Sequence, residues 1–195
     1  MGKRILLIQG HPDSNEEHLC HALARAYADG AREAGHDVRQ TKVAALDFPL
    51  LRNQREWEQD PLPSGLRQAQ DDIKWAEHLV LIFPLWLGDI PALLKGFLEQ
   101  VARPGFAFGH DRNNPLARKG LAGRTARVVV TMGMPAPVYR WYFWAHSVKS
   151  LKRNILEFIG ISPVSETLIG MAGNPETEKV ADWVGKLEEL GRAGV

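Results

Sequence analysis

The sequence predicts an α/β fold built on a doubly wound, parallel β-sheet with helices on both faces. Five short runs rich in aliphatic residues alternate with five segments whose apolar residues recur at helical spacing. The first, third and fourth runs are almost continuously aliphatic, which is typical of strands buried on both faces. Repeated strand–helix alternation predicts parallel strands joined by right-handed crossovers. With 195 residues, 45% of them hydrophobic, the chain is predicted to form one domain spanning residues 1–195.

The boundaries of these elements follow from the periodicity and from the residues at their ends. Strands are predicted at residues 4–9, 38–43, 79–83, 126–131 and 164–169, and helices at residues 19–34, 66–76, 91–101, 138–159 and 176–190. Gly35 and Gly160 follow two of the helices, where a left-handed cap favours glycine. Asn174 and Pro175 precede the last helix as a predicted cap and first helical residue. Both the dinucleotide-binding strand order and the flavodoxin-like order fit this alternation.

Composition and charge exclude several classes of function. A net charge of +1 argues against a nucleic-acid clamp and against a polybasic membrane anchor, because both need a concentrated positive field. No apolar run approaches the roughly 18 residues that a membrane span requires. The N-terminal run "MGKRILLIQG" is interpreted as a strand and not as a signal peptide. The single cysteine, Cys20, excludes an internal disulfide and favours a reducing compartment, so we expect a cytoplasmic protein.

The segment after the first strand, "GHPDSNEEHLCHAL" at residues 10–23, is typical of an anion site. A short polar loop that leads into a helix collects unpaired backbone N–H groups, and the helix dipole adds positive potential. Ser14 and Asn15 can donate further hydrogen bonds, so phosphate is the leading candidate; ordinary helix capping by either residue remains the alternative. The fingerprints G-x-G-x-x-G, G-x-x-x-x-G-K-[ST] and G-x-S-x-G are absent, which argues against a nicotinamide-only Rossmann site, a kinase or GTPase, and an α/β-hydrolase.

Two more loops follow strands at the same predicted edge of the sheet. Residues 84–88, "PLWLG", would form an apolar wall, and residues 131–139, "TMGMPAPVY", expose backbone groups. A flat ring with a polar edge, such as an isoalloxazine, would stack beside Trp86 and bond the loop amides. Burial of Trp86 in the core is the alternative.

Three other features have two interpretations each. The connection at residues 46–65 is long enough for a binding lid, although a surface excursion fits equally well. The "HLCH" run at residues 18–21 lacks the second ligand pair that a structural zinc site needs, so no metal is predicted. The basic run of Lys149, Lys152 and Arg153 is either a solvated helix face or a site for an NADPH phosphate.

Several of these segments together resemble a known family. "GHPDSN", "FPLWLGDIPALLKGFLEQV", "GFAF", the "TMG" turn with Tyr139, and "NILEFIGI" are similar to motifs of the flavodoxin-like NAD(P)H:quinone oxidoreductases. That family includes quinone reductases, modulator-of-drug-activity proteins and ancillary flavoproteins of potassium-efflux systems. The resemblance implies a five-stranded parallel sheet in the order 2-1-3-4-5 with helices on both faces.

The resemblance also implies which residues bind the cofactor. His11, Ser14, Asn15, His18, Leu19 and Cys20 would hold the flavin phosphate, Pro84, Leu85, Trp86, Leu87 and Gly88 would lie along the isoalloxazine, and Thr131, Met132, Gly133 and Tyr139 would border its polar edge. The cofactor is expected to be FMN or FAD, with NAD(P)H as co-substrate; the sequence does not distinguish within either pair.

The activity implied is ping-pong hydride transfer from NAD(P)H through the flavin to a quinone. Tyr139 and His146 are the candidate catalytic residues, the first as a hydrogen-bond donor and the second as a proton donor. The dense aromatic run at residues 139–144 predicts an exposed interface, and the relatives form homodimers. The alternative is a regulatory flavoprotein that docks on a potassium-efflux transporter. A one-electron carrier is disfavoured, because such carriers are usually strongly acidic.

Overall fold

The computed structural model describes residues 2–15, 17–108 and 119–195. Five strands form one sheet, and every pair of neighbours is parallel. The strands are β1 (Arg4–Gln9), β2 (Asp37–Lys42), β3 (His78–Pro84), β4 (Thr125–Thr131) and β5 (Val164–Ile169), in the order β2-β1-β3-β4-β5. This order and the parallel sheet confirm the predicted flavodoxin-like architecture, and each predicted strand agrees to within one residue at either end.

In the part of the chain that the structure describes, seven α-helices and one π-helical segment connect and cover the strands. They are α1 (Leu19–Glu33), α2 (Gln54–Glu58), α3 (Arg67–Trp75), α4 (Ala92–Val101), α5 (Ala136–Trp141), α6 (His146–Ser150), the π segment (Leu151–Leu156) and α7 (Thr177–Ala193). Within the described ranges, no helix combines the length and apolar character that crossing a bilayer requires.

Alternate residues of the central strands feed two separate cores. Ile5 and Leu7 of β1 pack beneath α1 and α7, whereas Leu6 and Ile8 face the layer that contains α3 and α4. Because β3 is covered on both sides, all seven of its residues are buried, which accounts for the apolar run that follows His78. The edge strand β2 is mostly exposed or half-buried instead.

Close contact between α1 and α7 depends on two glycines. A Cβ atom at Gly30 would lie 2.1 Å from the carbonyl oxygen of Glu188, and one at Gly191 would lie 2.1 Å from that of Tyr27. Because no side chain fits at such distances, the two helices can approach backbone to backbone.

The predicted helix at residues 138–159 is wrong as a single element. α5 ends at Trp141 and α6 starts at His146, and between them Trp144 and Ala145 have φ angles of 56° and 49°. We call residues 141–145 the aromatic bend. Successive residues of an α-helix point in directions about 100° apart, so four aromatic residues in a row would surround a continuous helix and could not share one buried face. In the bend all four are exposed. A π segment then replaces the predicted last α-helical turns.

The glycine caps are confirmed and the proposed start of the last helix is wrong. Gly35 and Gly160 have φ angles of 80° and 107°, in the left-handed region expected after a helix end. The N-cap of α7 is Glu176, and its side chain makes no capping hydrogen bond. Asn174 and Pro175 therefore lie in the preceding loop, and α7 begins at Thr177.

The long connection at residues 46–65 is fastened to α4 and contains α2. Arg103, at the end of α4, donates a 2.7 Å hydrogen bond to the carbonyl oxygen of Asp60, and Gln100 donates one of 2.6 Å to that of Pro49. Trp57 Nε1 donates to the carbonyl oxygen of Ala102 at 3.3 Å. These bonds favour the interpretation of the connection as a packed surface excursion.

Candidate functional site

A cavity of about 290 Å³ opens at the carboxyl ends of the strands, where ligands bind in open α/β sheets. We call it the first cavity. Four loops contribute to it, those that follow β1, β3, β4 and β5. Its lining consists of His11, His18, Leu19, Cys20, Pro84, Leu85, Trp86, Thr131, Met132, Gly133, Ala172 and Gly173. Ten of these twelve residues belong to the set predicted from the sequence to contact a flavin.

Asp13 organises the loop between β1 and α1. Its backbone N–H donates to His11 Nδ1 at 3.1 Å, and its carbonyl oxygen accepts a 2.9 Å bond from His21 Nε2. Its carboxylate lies 2.8 Å from His18 Nε2, and this hydrogen bond lowers the pKa of the Asp13 carboxyl. One residue therefore fixes the orientation of three imidazoles around the start of α1.

The imidazole of His11 contacts the backbone of Asp13 through one ring nitrogen. Its Nδ1 lies 3.1 Å from both the backbone nitrogen and the carbonyl oxygen of Asp13, so it accepts a hydrogen bond from the N–H in one tautomer and donates one to the carbonyl in the other. Desolvation by burial lowers the pKa of His11, the largest effect on it. The ring stacks on His18 with centroids 4.1 Å apart and meets the Trp86 ring edge-on at 5.9 Å. His11 thus connects the polar end of the first cavity with its aromatic wall.

The N-terminus of α1 is free of side-chain caps. Its N-cap residue, His18, makes no side-chain capping bond, so among the described residues the first-turn N–H groups of Leu19 and Cys20 have no side-chain acceptor from the N-cap. Ser14 and Asn15 are exposed, and Asn15 Oδ1 instead accepts the N–H of Glu17. Capping of α1 by either residue, the alternative left open by the sequence, is therefore wrong. Neither residue lines the first cavity.

The apolar wall after β3 is a tight turn from Trp86 to Asp89. The two end residues exchange backbone hydrogen bonds of 2.9 and 3.0 Å, and the central residues Leu87 and Gly88 have φ angles of 49° and 79°. Positive φ at both central positions is the geometry of a type I′ turn. The turn leaves Trp86 half exposed and Leu87 fully exposed, so burial of Trp86 in the core is excluded. Leu87 and Gly88 lie outside the first cavity.

A thiol and a hydroxyl meet on the buried side of the first cavity. Cys20 Sγ lies 3.3 Å from Thr131 Oγ1 at the end of β4. Desolvation raises the pKa of Cys20 to about 11, so the group is a protonated thiol at neutral pH and not a reactive thiolate. No group of three or more His, Cys, Asp or Glu side chains in the described ranges could hold a metal ion.

The two predicted catalytic residues lie apart from the first cavity. Tyr139 is buried, and its hydroxyl lies 2.6 Å from Ser147 Oγ and accepts the N–H of Val148 at 3.3 Å. His146 is exposed at the first turn of α6. Their roles stay predictions.

The arrangement combines an apolar flank with a polar end. Trp86, Leu85 and Met132 supply surface for a planar ring, while the uncapped start of α1 offers N–H groups for an anion. These donors and walls fit a flavin whose phosphate binds at the helix and whose ring lies along the turn.

Comparison with known proteins agrees with this architecture. Residues 3–190 match a family model described as flavodoxin-like fold. The chain belongs to the flavodoxin-like fold family. Its structure superposes on an NAD(P)H:quinone oxidoreductase from Methanothermobacter marburgensis with a TM-score of 0.82 and 22% sequence identity, covering 98% of this chain and 96% of the other. At that identity, the similarity supports the fold alone.

Two relatives with assigned names are similar in sequence to this flavodoxin-like protein. An FMN-dependent NADH:quinone oxidoreductase from Nitratidesulfovibrio vulgaris is 27% identical over 196 aligned residues, which cover 89% of this chain and 90% of the relative. The glutathione-regulated potassium-efflux system ancillary protein KefG of Shigella dysenteriae is 42% identical over 141 residues. That alignment covers 71% of this chain and 62% of KefG.

Sequence reasoning missed one side of the flavodoxin-like site. Ala172 and Gly173 line the first cavity from the loop after β5. This loop lies against the one after β4, because the N–H groups of Met171 and Ala172 donate to the carbonyl oxygens of Met134 and Met132. The signal was available in the glycine-rich "GMAGN" at residues 170–174, which follows a strand at the ligand-binding edge.

Proposed function

We propose that the protein is an FMN-dependent NAD(P)H:quinone oxidoreductase. The observation that carries this proposal is the first cavity, where a histidine-rich, uncapped helix start faces an aromatic turn across the ends of the central strands. FMN is preferred over FAD because the flavin named for the Nitratidesulfovibrio vulgaris relative is FMN. When bound, the flavin would accept hydride from NAD(P)H and pass two electrons to a quinone in a ping-pong cycle.

The chain's own residues would bind and orient the cofactor. The N–H groups of Leu19 and Cys20 would bond the phosphate oxygens, with His18 beside them as a further donor. Trp86 would cover one face of the ring and exclude water from it. The backbone of Gly133 would bond the polar edge of the ring, because the N–H and carbonyl groups of Met132 already bond Ile169 and Ala172. These roles follow from the position of each residue in the lining of the first cavity.

Turnover with a defined acceptor tests this function. We expect the flavin-loaded protein to oxidise NADH or NADPH rapidly only when menadione is present, and the Trp86→Ala variant to lose flavin affinity. Trp75→Ala is a matched control, since Trp75 stacks under Arg39 at 4.1 Å, away from the first cavity. Loss of flavin from both variants alike, or a wild-type protein that never oxidises NAD(P)H with menadione, would contradict the proposal.

We also infer that the protein forms a homodimer through the aromatic bend. Trp141, Tyr142 and Trp144 are 73%, 76% and 63% exposed, and exposed apolar patches of this kind usually mark interfaces. The double variant Trp141→Arg/Trp144→Arg should sediment as a monomer where the wild-type chain sediments as a dimer. Phe158→Arg is the control, because Phe158 is also exposed but lies outside the bend.

A regulatory role is the second candidate, because the KefG relative is 42% identical over its aligned region. In that case the protein would reside in the cytoplasm and dock on a membrane transporter. Specific retention on membranes that contain a potassium-efflux transporter, together with negligible menadione turnover, would favour this role over the reductase.

A further inference from the structure

A buried histidine lies behind the polar end of the first cavity. His21, in the first turn of α1, is 2% exposed. Its ring centroid lies 5.5 Å from that of His11 and 6.2 Å from that of His18. His11 and His18 line the first cavity, and His21 does not. One layer of side chains therefore separates His21 from the part of the cavity where the proposed phosphate would bind.

Both ring nitrogens of His21 lie against oxygen atoms. Nε2 is 2.9 Å from the carbonyl oxygen of Asp13, and Nδ1 is 2.5 Å from Gln9 Oε1. A carbonyl oxygen can only accept, so each nitrogen must carry a proton to make its bond. An imidazole with a proton on both nitrogens is the imidazolium cation. The hydrogen bonds therefore give His21 a positive charge.

The orientation of the Gln9 side chain is set by β2. Gln9 Nε2 donates to Gln40 Oε1 at 3.4 Å, which leaves Gln9 Oε1 turned toward His21. Rotation of the Gln9 amide by half a turn would bring its NH₂ group to Nδ1 and would suit the neutral ring instead. Gln9 can thus serve either protonation state of His21, and the arrangement in the structure is the one for the cation.

Among the described residues, no carboxylate is bonded to the cation on His21. Asp13, whose carbonyl oxygen His21 contacts, turns its carboxylate to His18. Both hydrogen bonds of His21 therefore go to uncharged oxygens. A buried charge without a counterion raises the free energy of the folded chain. An anion bound at the start of α1 would lower it again.

Other charged groups near His21 do not take the place of that anion. Lys42 of β2 stands opposite Gln9 in the strand register and is itself positive. Glu17 and Arg25, four residues before and after His21, are exposed and of opposite sign, so solvent screens both.

His11 does not share the positive charge of His21. Burial is the largest cause that lowers the pKa of His11, and the positive charges of His18 and His21 lower it further. The two rings therefore differ in role. His11 contributes an uncharged wall to the first cavity, and His21 contributes charge from behind it.

We propose that His21 selects a phosphorylated flavin by carrying a buried positive charge behind the phosphate, and that the bound phosphate keeps the proton on His21 at pH values at which the flavin-free protein loses it to solvent. The phosphate and the imidazolium attract each other in a region of low dielectric, which strengthens the attraction. Because binding of the anion and protonation of His21 favour each other, affinity for FMN should decline as pH rises. This inference rests on the proposed function and names the residue that distinguishes FMN from riboflavin.

The test compares FMN with riboflavin, which lacks only the phosphate. Flavin fluorescence gives both dissociation constants, and we call the ratio of the riboflavin constant to the FMN constant the phosphate preference. It is measured from about pH 7 to about pH 9, where the phosphate stays a dianion because its second pKa is about 6. We expect the phosphate preference of the wild type to fall by about fivefold over this range.

Variants assign this pH dependence to one imidazole. His21→Gln keeps polar atoms at the site but cannot carry the charge, so its phosphate preference should be about fivefold lower at pH 7 and should not change with pH. His36→Gln is the matched control, because His36 precedes β2 at the opposite edge of the sheet, and it should keep the wild-type profile. A wild-type profile in folded His21→Gln, or pH dependence that disappears in His18→Gln but persists in His21→Gln, would overturn the inference.

Nitrogen-15 NMR of the wild-type protein observes the proton itself and does not depend on the folding of any variant. We expect both His21 nitrogens to be protonated in the FMN complex at about pH 8, and only one in the riboflavin complex. A neutral His21 in the FMN complex would overturn the inference. Menadione-dependent oxidation of NAD(P)H is measured on the same samples. Turnover with a neutral His21 leaves the proposed function standing, whereas a protonated His21 without turnover contradicts the reductase and supports the role of His21.

Discussion

At the scale of single residues, the turn after β3 concentrates strain at a solvent-exposed position. Leu87 and Gly88 both have positive φ angles, which cost glycine nothing but cost an L-residue with a Cβ about 1–2 kcal/mol. Leu87 is fully exposed, so no packing within the chain offsets that cost. An exposed, strained leucine beside the first cavity is the pattern expected where a ligand or partner supplies the missing contacts.

Substitutions in this turn should therefore affect stability in opposite directions. Leu87→Gly removes the strain and should leave the free energy of unfolding unchanged or raise it by up to about 1 kcal/mol, after allowing for glycine's greater unfolded-state entropy. Gly88→Ala, at φ 79°, should lower it by about 1 kcal/mol. Urea denaturation measures both values. A loss of more than about 1 kcal/mol in Leu87→Gly would show that the side chain makes stabilising contacts in the free protein.

Protonation of His78 makes the free energy of unfolding depend on pH. It is buried at the start of β3, with Nδ1 2.6 Å from Thr125 Oγ1, and its Nε2 has no hydrogen-bond partner among the described residues. Burial, reinforced by the positive charges of Lys3 and Arg127, lowers the pKa of His78 to about 4 from its ordinary 6.5. The folded protein therefore keeps this imidazole neutral through mildly acidic pH.

Because the unfolded chain binds a proton at His78 below pH 6.5 and the folded chain does so only near pH 4, stability should fall between these values as pH decreases. The free energy of unfolding should drop by about 3 kcal/mol across this window from His78 and stay level above it. Urea denaturation of wild-type protein and His78→Leu at several pH values isolates this contribution. Identical pH profiles for the two proteins would rule it out.

At the scale of elements, α4 both supports the site and fastens the long connection. Arg103 is buried, and its guanidinium donates to the carbonyl oxygens of Gln100 and Asp60. Sequence patterns do not distinguish a lid from a packed excursion here, since the difference depends on Gln100 of α4 and on Arg103 just after it, about 40 to 50 residues away along the chain.

Loss of the hydrogen bonds from Arg103 should loosen the connection at residues 46–65 locally. Arg103→Met should lower the free energy of unfolding by about 2–3 kcal/mol, because a charged donor and its buried bonds are lost. It should also expose residues 46–65 to protease. Limited trypsin digestion followed by mass spectrometry locates the cleavage. The control variant is Arg55→Met, at an exposed position in the same connection. Its digestion pattern should match that of the wild type, except that trypsin no longer cleaves after residue 55. Intact residues 46–65 in Arg103→Met would contradict the argument.

The aromatic bend is a part of the fold that local sequence patterns do not predict. Residues 138–159 carry a helical periodicity, yet the buried pair of Tyr139 and Ser147 and the left-handed Ala145 interrupt it. Only tertiary packing shows that Tyr139 is buried while Trp141 is exposed. The strands, by contrast, are predictable because burial on both faces leaves an unambiguous aliphatic signature in β1, β3 and β4.

At the scale of the whole molecule, the parallel sheet explains why distant loops form one cavity. Parallel strands end at the same edge, so residues near positions 11, 86, 131 and 172 become neighbours. This logic made most of the first cavity predictable from the sequence. Ala172 and Gly173 were missed because neither carries a functional group, although the glycine-rich run at residues 170–174 indicated a loop at this edge of the sheet. Ser14 and Gly88 belong to the predicted set of cofactor contacts but do not line the first cavity.

Equilibrium flavin binding tests the central claim most directly, namely that the strand-end loops hold FMN with its phosphate at the start of α1. The flavin-free protein is titrated into FMN and, separately, into riboflavin, and flavin fluorescence is followed. We expect one FMN per chain and binding at least about tenfold tighter than that of riboflavin, because hydrogen bonds to a charged phosphate are the stronger ones. Unchanged fluorescence of FMN at saturating protein, or equal affinity for the two flavins, would contradict the claim.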